Sequence, residues 1–202
     1  MTNTVKFTIL TIQKEKQFNK ELKMARQIIG VDNQIDFETG ALPNPKFVET
    51  LEYRVNLCKN AERPVVLTAD THTEEYMETL EGKKLPVPHC IKGTEGWKQT
   101  QAILNACKNP IIVEKTTFGY DKWKEIFGLA EDIDEFYIFG TVMPICPVAQ
   151  AIGLRMAYPN KRIVVDFAGC GFMADENGDE TFCRAATKYV LNMQHIDVIN
   201  AD

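Results

Sequence analysis

Residues 136–154 read FYIFGTVMPICPVAQAIGL, a stretch without a single charge. A membrane-spanning helix needs about 20 such residues. Here, however, Gly140, Pro144, Pro147 and Gly153 interrupt the run. Glycine and proline mark the points where the backbone turns, so the stretch divides into a strand at Phe136–Val142, a turn, and a helix from about residue 146. Proline is well tolerated in a first helical turn, which places Cys146 at the helix start. The stretch is core, not a membrane span.

Working outward, short apolar runs recur at Gln27–Val31, Pro64–Ala69, Pro110–Val113 and Arg162–Phe167. Each is rich in Ile, Val or Phe, as strands buried on both faces are. Between them the pattern predicts helices at about 45–60, 97–108, 120–130, 146–158 and 179–194. Val48, Leu51, Val55 and Cys58, for example, repeat at helical spacing. A last short strand is expected at Asp197–Asn200. The alternation predicts an α/β fold, a doubly wound, mostly parallel sheet with helices on both faces.

The chain has 202 residues, 45% hydrophobic and 25% charged, which is ordinary for one globular domain. That domain is expected over residues 26–202. Residues 1–25 read as an appended segment: Lys6–Ile12 alternates like an edge strand, and the charged stretch Lys14–Arg26 follows. With 23 basic and 28 acidic residues the net charge is −5, so no basic stripe points to a nucleic-acid partner. The six cysteines form no C-x-x-C pair, and the opening residues carry no apolar leader. Reduced thiols in a cytoplasm are the expectation.

In open α/β sheets, ligands bind beyond the carboxyl ends of the strands. Asp32 follows IIGV there, Asp70 and His72 follow PVVLTA, Lys115 follows PIIVE, and Cys146 lies beyond FYIFGTV. Each has a bland reading alone: a turn residue, a loop histidine, a solvated lysine, a packed thiol. Together they place an acid, a metal-ligand pair, a base and a thiol on one edge. At a helix start the thiol's pKa is expected to fall. The connection 70–96 is long and polar, and such loops are usually functional. Two of the three histidines, His72 and His89, lie in it. With Asp70 they form a partial ligand set for zinc or a similar borderline ion. Cys90 is set aside because adjacent residues rarely both face one site, and His195 reads as structural or exposed.

Three other patterns carry no site. Gly169–Ala174 matches G-x-G-x-x-A but runs into a turn rather than a helix, and Gly93–Gly96 lacks the Gly-Lys-Ser/Thr of a phosphate loop. Asp175–Asp179 lacks the distal Glu of a calcium loop.

VDNQIDF at 31–37, PHCIKGTEGW at 88–97, VEKTTFGYD around Lys115 and GTVMPICPVAQA at 140–151 resemble, in order, motifs of the isochorismatase-like cysteine hydrolases. The D-x-H pair with a later His resembles the metal-dependent nicotinamidase branch of that superfamily. The resemblance implies Asp32, Lys115 and Cys146 as catalytic triad and Asp70, His72 and His89 as metal ligands. It adds a fourth ligand from Glu78 or Glu81, between which the sequence does not choose. It further implies a cis peptide at Thr141–Val142, an oxyanion site from the backbone N–H groups of Val142 and Cys146, and Phe37 beside a pyridine ring. The implied metal is zinc, with iron or manganese as alternatives, and the implied substrate is nicotinamide, with a homo-oligomer allowed. Departures are Met143-Pro144 for Thr-Asp, Pro147 for a common Val, and Pro86 where a pocket Trp is frequent. The alternative is a metal-independent hydrolase of another small amide or carbamoyl compound. A reading of a different class, a non-catalytic binding module on the same fold, has no need of all three triad residues.

Overall fold

Parallel strands buried on both faces need apolar side chains at most positions, and β1 (Arg26–Val31) and β4 (Glu135–Met143) show why. In the computed structural model, which describes residues 24–201, Ile29, Val31, Phe136 and Ile138 enter one core while Ile28, Tyr137 and Phe139 enter the other. Successive side chains on a strand point to opposite faces, so a continuous apolar run fills two cores at once. The expectation for residues 1–25 falls, apart from Met24 and Ala25, outside the described residues.

The remaining strands are β2 (Val66–Asp70), β3 (Ile111–Lys115), β5 (Arg162–Phe172) and β6 (Asp197–Ile199). All six are parallel, in the order β3-β2-β1-β4-β5-β6. The doubly wound α/β architecture read from the sequence is the one observed. The helices are α1 (Ile35–Glu38), α2 (Pro45–Lys59), α3 (Leu80–Lys84), α4 (Gln101–Ala106), α5 (Trp123–Phe127), α6 (Cys146–Ala157) and α7 (Thr181–Met193). Cys58 of α2 and Ile103 of α4 pack into the core on one face. Trp123 of α5, Leu154 of α6 and Leu191 of α7 pack into the core on the other. Burying each such side chain contributes about 1.5–3 kcal/mol.

The order of winding reverses between β1 and β4, the place where such sheets open a crevice. Gly140 lets the two strands approach there. Its φ is +140°, and a Cβ would lie 2.1 Å from the Val31 carbonyl oxygen.

Two helices are shorter than their periodicity predicts. The one near 97–108 begins only at Gln101, because residues 96 and 98 are tied back to α1 through Asp36 N–H to Gly96 O and Ile35 N–H to Lys98 O. The one near 120–130 spans Trp123–Phe127. β5 is longer than predicted, reaching Phe172 and absorbing the Gly169–Gly171 stretch as strand. The connection after β2 is not wholly irregular, since a 3-10 turn at Glu74–Glu78 leads into α3. Among the described residues no helix is long and apolar enough to cross a membrane.

Candidate active site

Strand ends do most of the placing. Asp70 and Lys115 close β2 and β3 as register partners, so their side chains emerge side by side. Asp32 follows β1 directly, and Cys146 opens α6 beyond the turn that ends β4. Lys115 Nζ lies 2.9 Å from Asp32 Oδ2, donates to Asp70 Oδ1 at 3.0 Å, and donates to Cys146 Sγ at 3.7 Å. All four side chains are buried. The structure thus brings Asp32, Lys115 and Cys146 into one bonded cluster.

An unpaired buried ammonium would be costly, and the two carboxylates compensate it. Burial works against the charge of Lys115, but Asp32, Cys146 and Asp70 outweigh it and keep the group protonated. Burial raises the pKa of Asp32 despite the nearby lysine. Burial also pushes the Cys146 thiol well above its ordinary value, with Asp32 acting in the same direction and Lys115 against it. This differs from the sequence expectation of a lowered thiol pKa. A helix start contributes at most about 2 kcal/mol, and desolvation beside a carboxylate outweighs it. Burial and the neighbouring Asp32 carboxylate thus both favour the thiol form of Cys146.

Cys146 is the first residue of α6, as its proline-marked start predicts, and its N–H is among the donors a helix leaves unpaired. The Thr141–Val142 peptide is cis, and so is Met143–Pro144, which the sequence did not lead one to expect. Val142 and Cys146 both line a cavity of about 300 Å³, together with Phe37, Leu85, Phe118 and Met173. No arginine or lysine is among the described residues lining it.

Asp70, Glu81 and His89 reach the same cavity. His72 Nε2 and His89 Nε2 lie 3.1 and 3.4 Å from Asp70 Oδ2, and each lies 3.7 Å from Glu81 Oε1. His89 Nδ1 faces the Val87 carbonyl at 2.9 Å, which fixes the ring and leaves Nε2 for a ligand. Phe37 packs edge-on against His89, with 5.8 Å between ring centroids. Between the two glutamates the structure selects Glu81; Glu78 is exposed on the 3-10 turn. Cys90 is buried with Phe37 and Phe47, and His195 is exposed just past the end of α7. Pro86 is exposed, and its neighbour Leu85 supplies the wall instead.

The donor set fits a divalent cation. Ligand atoms about 2.1 Å from one ion stand roughly 3–4 Å apart, and these four all lie within 4.8 Å of one another. Asp32 and Asp70 share the Lys115 ammonium, and half-buried Glu81 stands against His72 and His89, so among the described residues these three carboxylates have one lysine between them. A doubly charged ion would balance that excess.

The loop is anchored by two residues that sequence reading did not single out. The Gln34 side-chain amide accepts the Asp70 N–H at 2.7 Å and donates to the Asp70 carbonyl at 2.8 Å and the Trp97 carbonyl at 2.7 Å. The Asp36 carboxylate accepts the N–H groups of Ala41 at 2.9 Å and Cys90 at 2.6 Å. Gly96 sits so close that a Cβ would lie 2.1 Å from Asp36 Oδ1.

No protein-family model and no curated protein sequence matches the chain. Solved structures do. The yeast nicotinamidase superposes with a TM-score of 0.72 at 20% identity, covering 87% of this chain and 100% of that one. The nicotinamidase/pyrazinamidase PncA from Bacillus subtilis gives 0.70 at 22%, covering 87% and 99%. The N-carbamoylsarcosine amidase from Thermoplasma acidophilum gives 0.66 at 20%, covering 89% and 98%. The fold of this chain is that of the isochorismatase-like cysteine hydrolases.

Proposed function

We propose that the protein is a metal-dependent cysteine amidase of the isochorismatase-like superfamily and that it hydrolyses nicotinamide to nicotinate and ammonia. One observation carries this reading. A bonded Asp32–Lys115–Cys146 cluster stands on an apolar cavity that is also reached by a His72–His89–Asp70–Glu81 cluster.

Asp70, His72, Glu81 and His89 would hold the ion, most simply zinc given the mixed nitrogen and oxygen donors. When bound, it supplies a Lewis-acid position for the ring nitrogen of a pyridine amide. Phe37, beside His89, offers an apolar face to the same ring. Cys146 Sγ attacks the amide carbon while its proton passes to Asp32 Oδ2. The backbone N–H groups of Val142 and Cys146 are the donors assigned to the oxyanion. The C–N bond breaks, and the proton on Asp32 leaves with the amine as ammonia. Water then attacks the thioester, Asp32 takes its proton, and the acid departs as the thiol is restored. Lys115 offsets the negative charge that moves between sulfur and carboxylate.

A neutral amide suits the cavity better than a carbamoyl amino acid, whose carboxylate would meet no arginine or lysine along the lining. The test compares ammonia release from nicotinamide, pyrazinamide and benzamide. The two ring-nitrogen amides should turn over and benzamide should be poor, because a polar site strongly rejects an analogue lacking its partner atom. Chelation should abolish both the activity and the preference. Equal turnover of nicotinamide and benzamide, or full activity without metal, would leave only a general cysteine amidase.

A further inference from the structure

We infer that Thr68 is a positioning residue for the catalytic base: its hydroxyl locks the Asp32 carboxylate so that Oδ2 is the oxygen presented to Lys115 and Cys146. The inference rests on the reading of Asp32 as that base.

Asp32 lies just beyond β1 at a φ of +48°, a conformation uncommon outside glycine. Thr68, in the middle of β2 and fully buried, grips it twice. The Thr68 Oγ1 accepts the Asp32 N–H at 3.2 Å and donates to Asp32 Oδ1 at 2.6 Å. One hydroxyl therefore fixes both the backbone and the side-chain rotation of the same residue. A threonine hydroxyl has a single proton. Once Oδ1 takes it, Oδ2 is left facing the ammonium at 2.9 Å, with no hydroxyl or backbone donor of its own among the described residues. Without the hydroxyl, the Lys115 contact alone restrains the carboxylate about its last bond, a broad torsion with no staggered wells to hold it.

The backbone at Thr68 is held independently. It sits in the ladder opposite Val113, and Gln99 Nε2 donates to its carbonyl at 2.8 Å. Removing the hydroxyl alone should leave the strand in place.

The experiment compares Thr68→Val, Thr68→Ser, Asp32→Asn and the Thr68→Val/Asp32→Asn double variant. Thr68→Val should lower kcat on nicotinamide about tenfold or more with KM within about twofold, the mark of an interaction acting on chemistry rather than binding. Thr68→Ser, which keeps the hydroxyl, should recover to within about threefold. The double variant should be no more than about twofold below Asp32→Asn, since residues in one network do not add. A folded Thr68→Val enzyme with an unchanged kcat, or a loss that adds in full to that of Asp32→Asn, overturns the inference. If Thr68→Val does not fold, Thr68→Ala is held to the same criteria. A second readout is the rate of Cys146 alkylation by iodoacetamide, located by peptide mass. It should fall in Thr68→Val and return in Thr68→Ser even if nicotinamide proves not to be the substrate; equal alkylation rates overturn the inference on their own.

Discussion

The two clusters that meet in the cavity are built by different means. Lys115 ends β3, Asp32 follows β1 directly and Cys146 opens α6 just beyond β4, so the six-stranded sheet and a helix start carry them. Of the metal-site donors only Asp70 belongs to a strand. His72, Glu81 and His89 hang on the connection that follows it, where the 3-10 turn and α3 are the regular elements. There the order comes from side chains gripping backbone: Gln34 on Asp70, Asp36 on Cys90, and Thr79 capping Gly82 N–H at 3.0 Å. The sheet-edge cluster is placed mainly by secondary structure, with the Thr68 hydroxyl added at Asp32; the loop cluster is placed by individual hydrogen bonds.

This contrast can be broken most directly at the thiol. Cys146→Ala should reduce turnover at least about 10³-fold with an unchanged melting temperature, because no neighbour supplies the covalent intermediate. Cys58→Ala and Cys107→Ala, in the opposite core, should leave the rate nearly unaltered. Comparable losses in all three would remove the sheet-edge cluster from the chemistry.

Asp32→Asn and Lys115→Ala should each approach the loss seen without the thiol, and the double variant should be little worse than either. Additive losses would show three separate contributors rather than one unit.

The pH profile sharpens the same comparison. Asp32 must be ionised to accept the thiol proton, and burial raises its pKa above the ordinary 3.8 despite Lys115. Activity should therefore be present above that raised value and disappear as pH falls through it. An acid limb in kcat/KM at or below 3.8, or one that persists in Asp32→Asn, would contradict the assignment.

The smallest effect expected is at the loop. An ion that binds only the folded chain at 100 times its Kd stabilises it by about 2.7 kcal/mol. Zinc should raise the melting temperature of the wild type and of Glu78→Gln, and raise it less for Glu81→Gln. Equal shifts in both glutamine variants would take Glu81 out of the site.

These differences track what the sequence made legible. Gln27–Val31 and Phe136–Val142 read as strands because burial on both faces leaves an almost continuous apolar run, with Gln27 and Thr141 as the polar positions. Asp32, Lys115 and Cys146 could then be gathered by one topological rule. Glu81 could not be separated from Glu78, because the choice turns on where the 3-10 turn ends and Thr79 begins a new helix. The raised pKa of Cys146 was equally hidden. The helix start is local and visible, whereas the burial that overrides it, and the Asp32 carboxylate that adds to it from more than a hundred residues away, arise only after β1 and β4 pair. Gln34 and Thr68 escaped for the same reason: a glutamine after a strand and a threonine within one are unremarkable until their partners are known.

The Asp36 carboxylate has a thermodynamic consequence for ion capture. Ordering a residue costs about 1–2 kcal/mol in backbone entropy. By holding Ala41 and Cys90 and sitting against Gly96, Asp36 ties the turn at 36–41 to the stretch at 90–96 next to His89, using none of the four candidate donors. The configurational cost of shaping the loop is thus met during folding, by a group that never touches the ion. An ion bound there would meet a socket cut in advance, so its affinity would reflect the donors themselves rather than the difference between that attraction and the cost of gathering them.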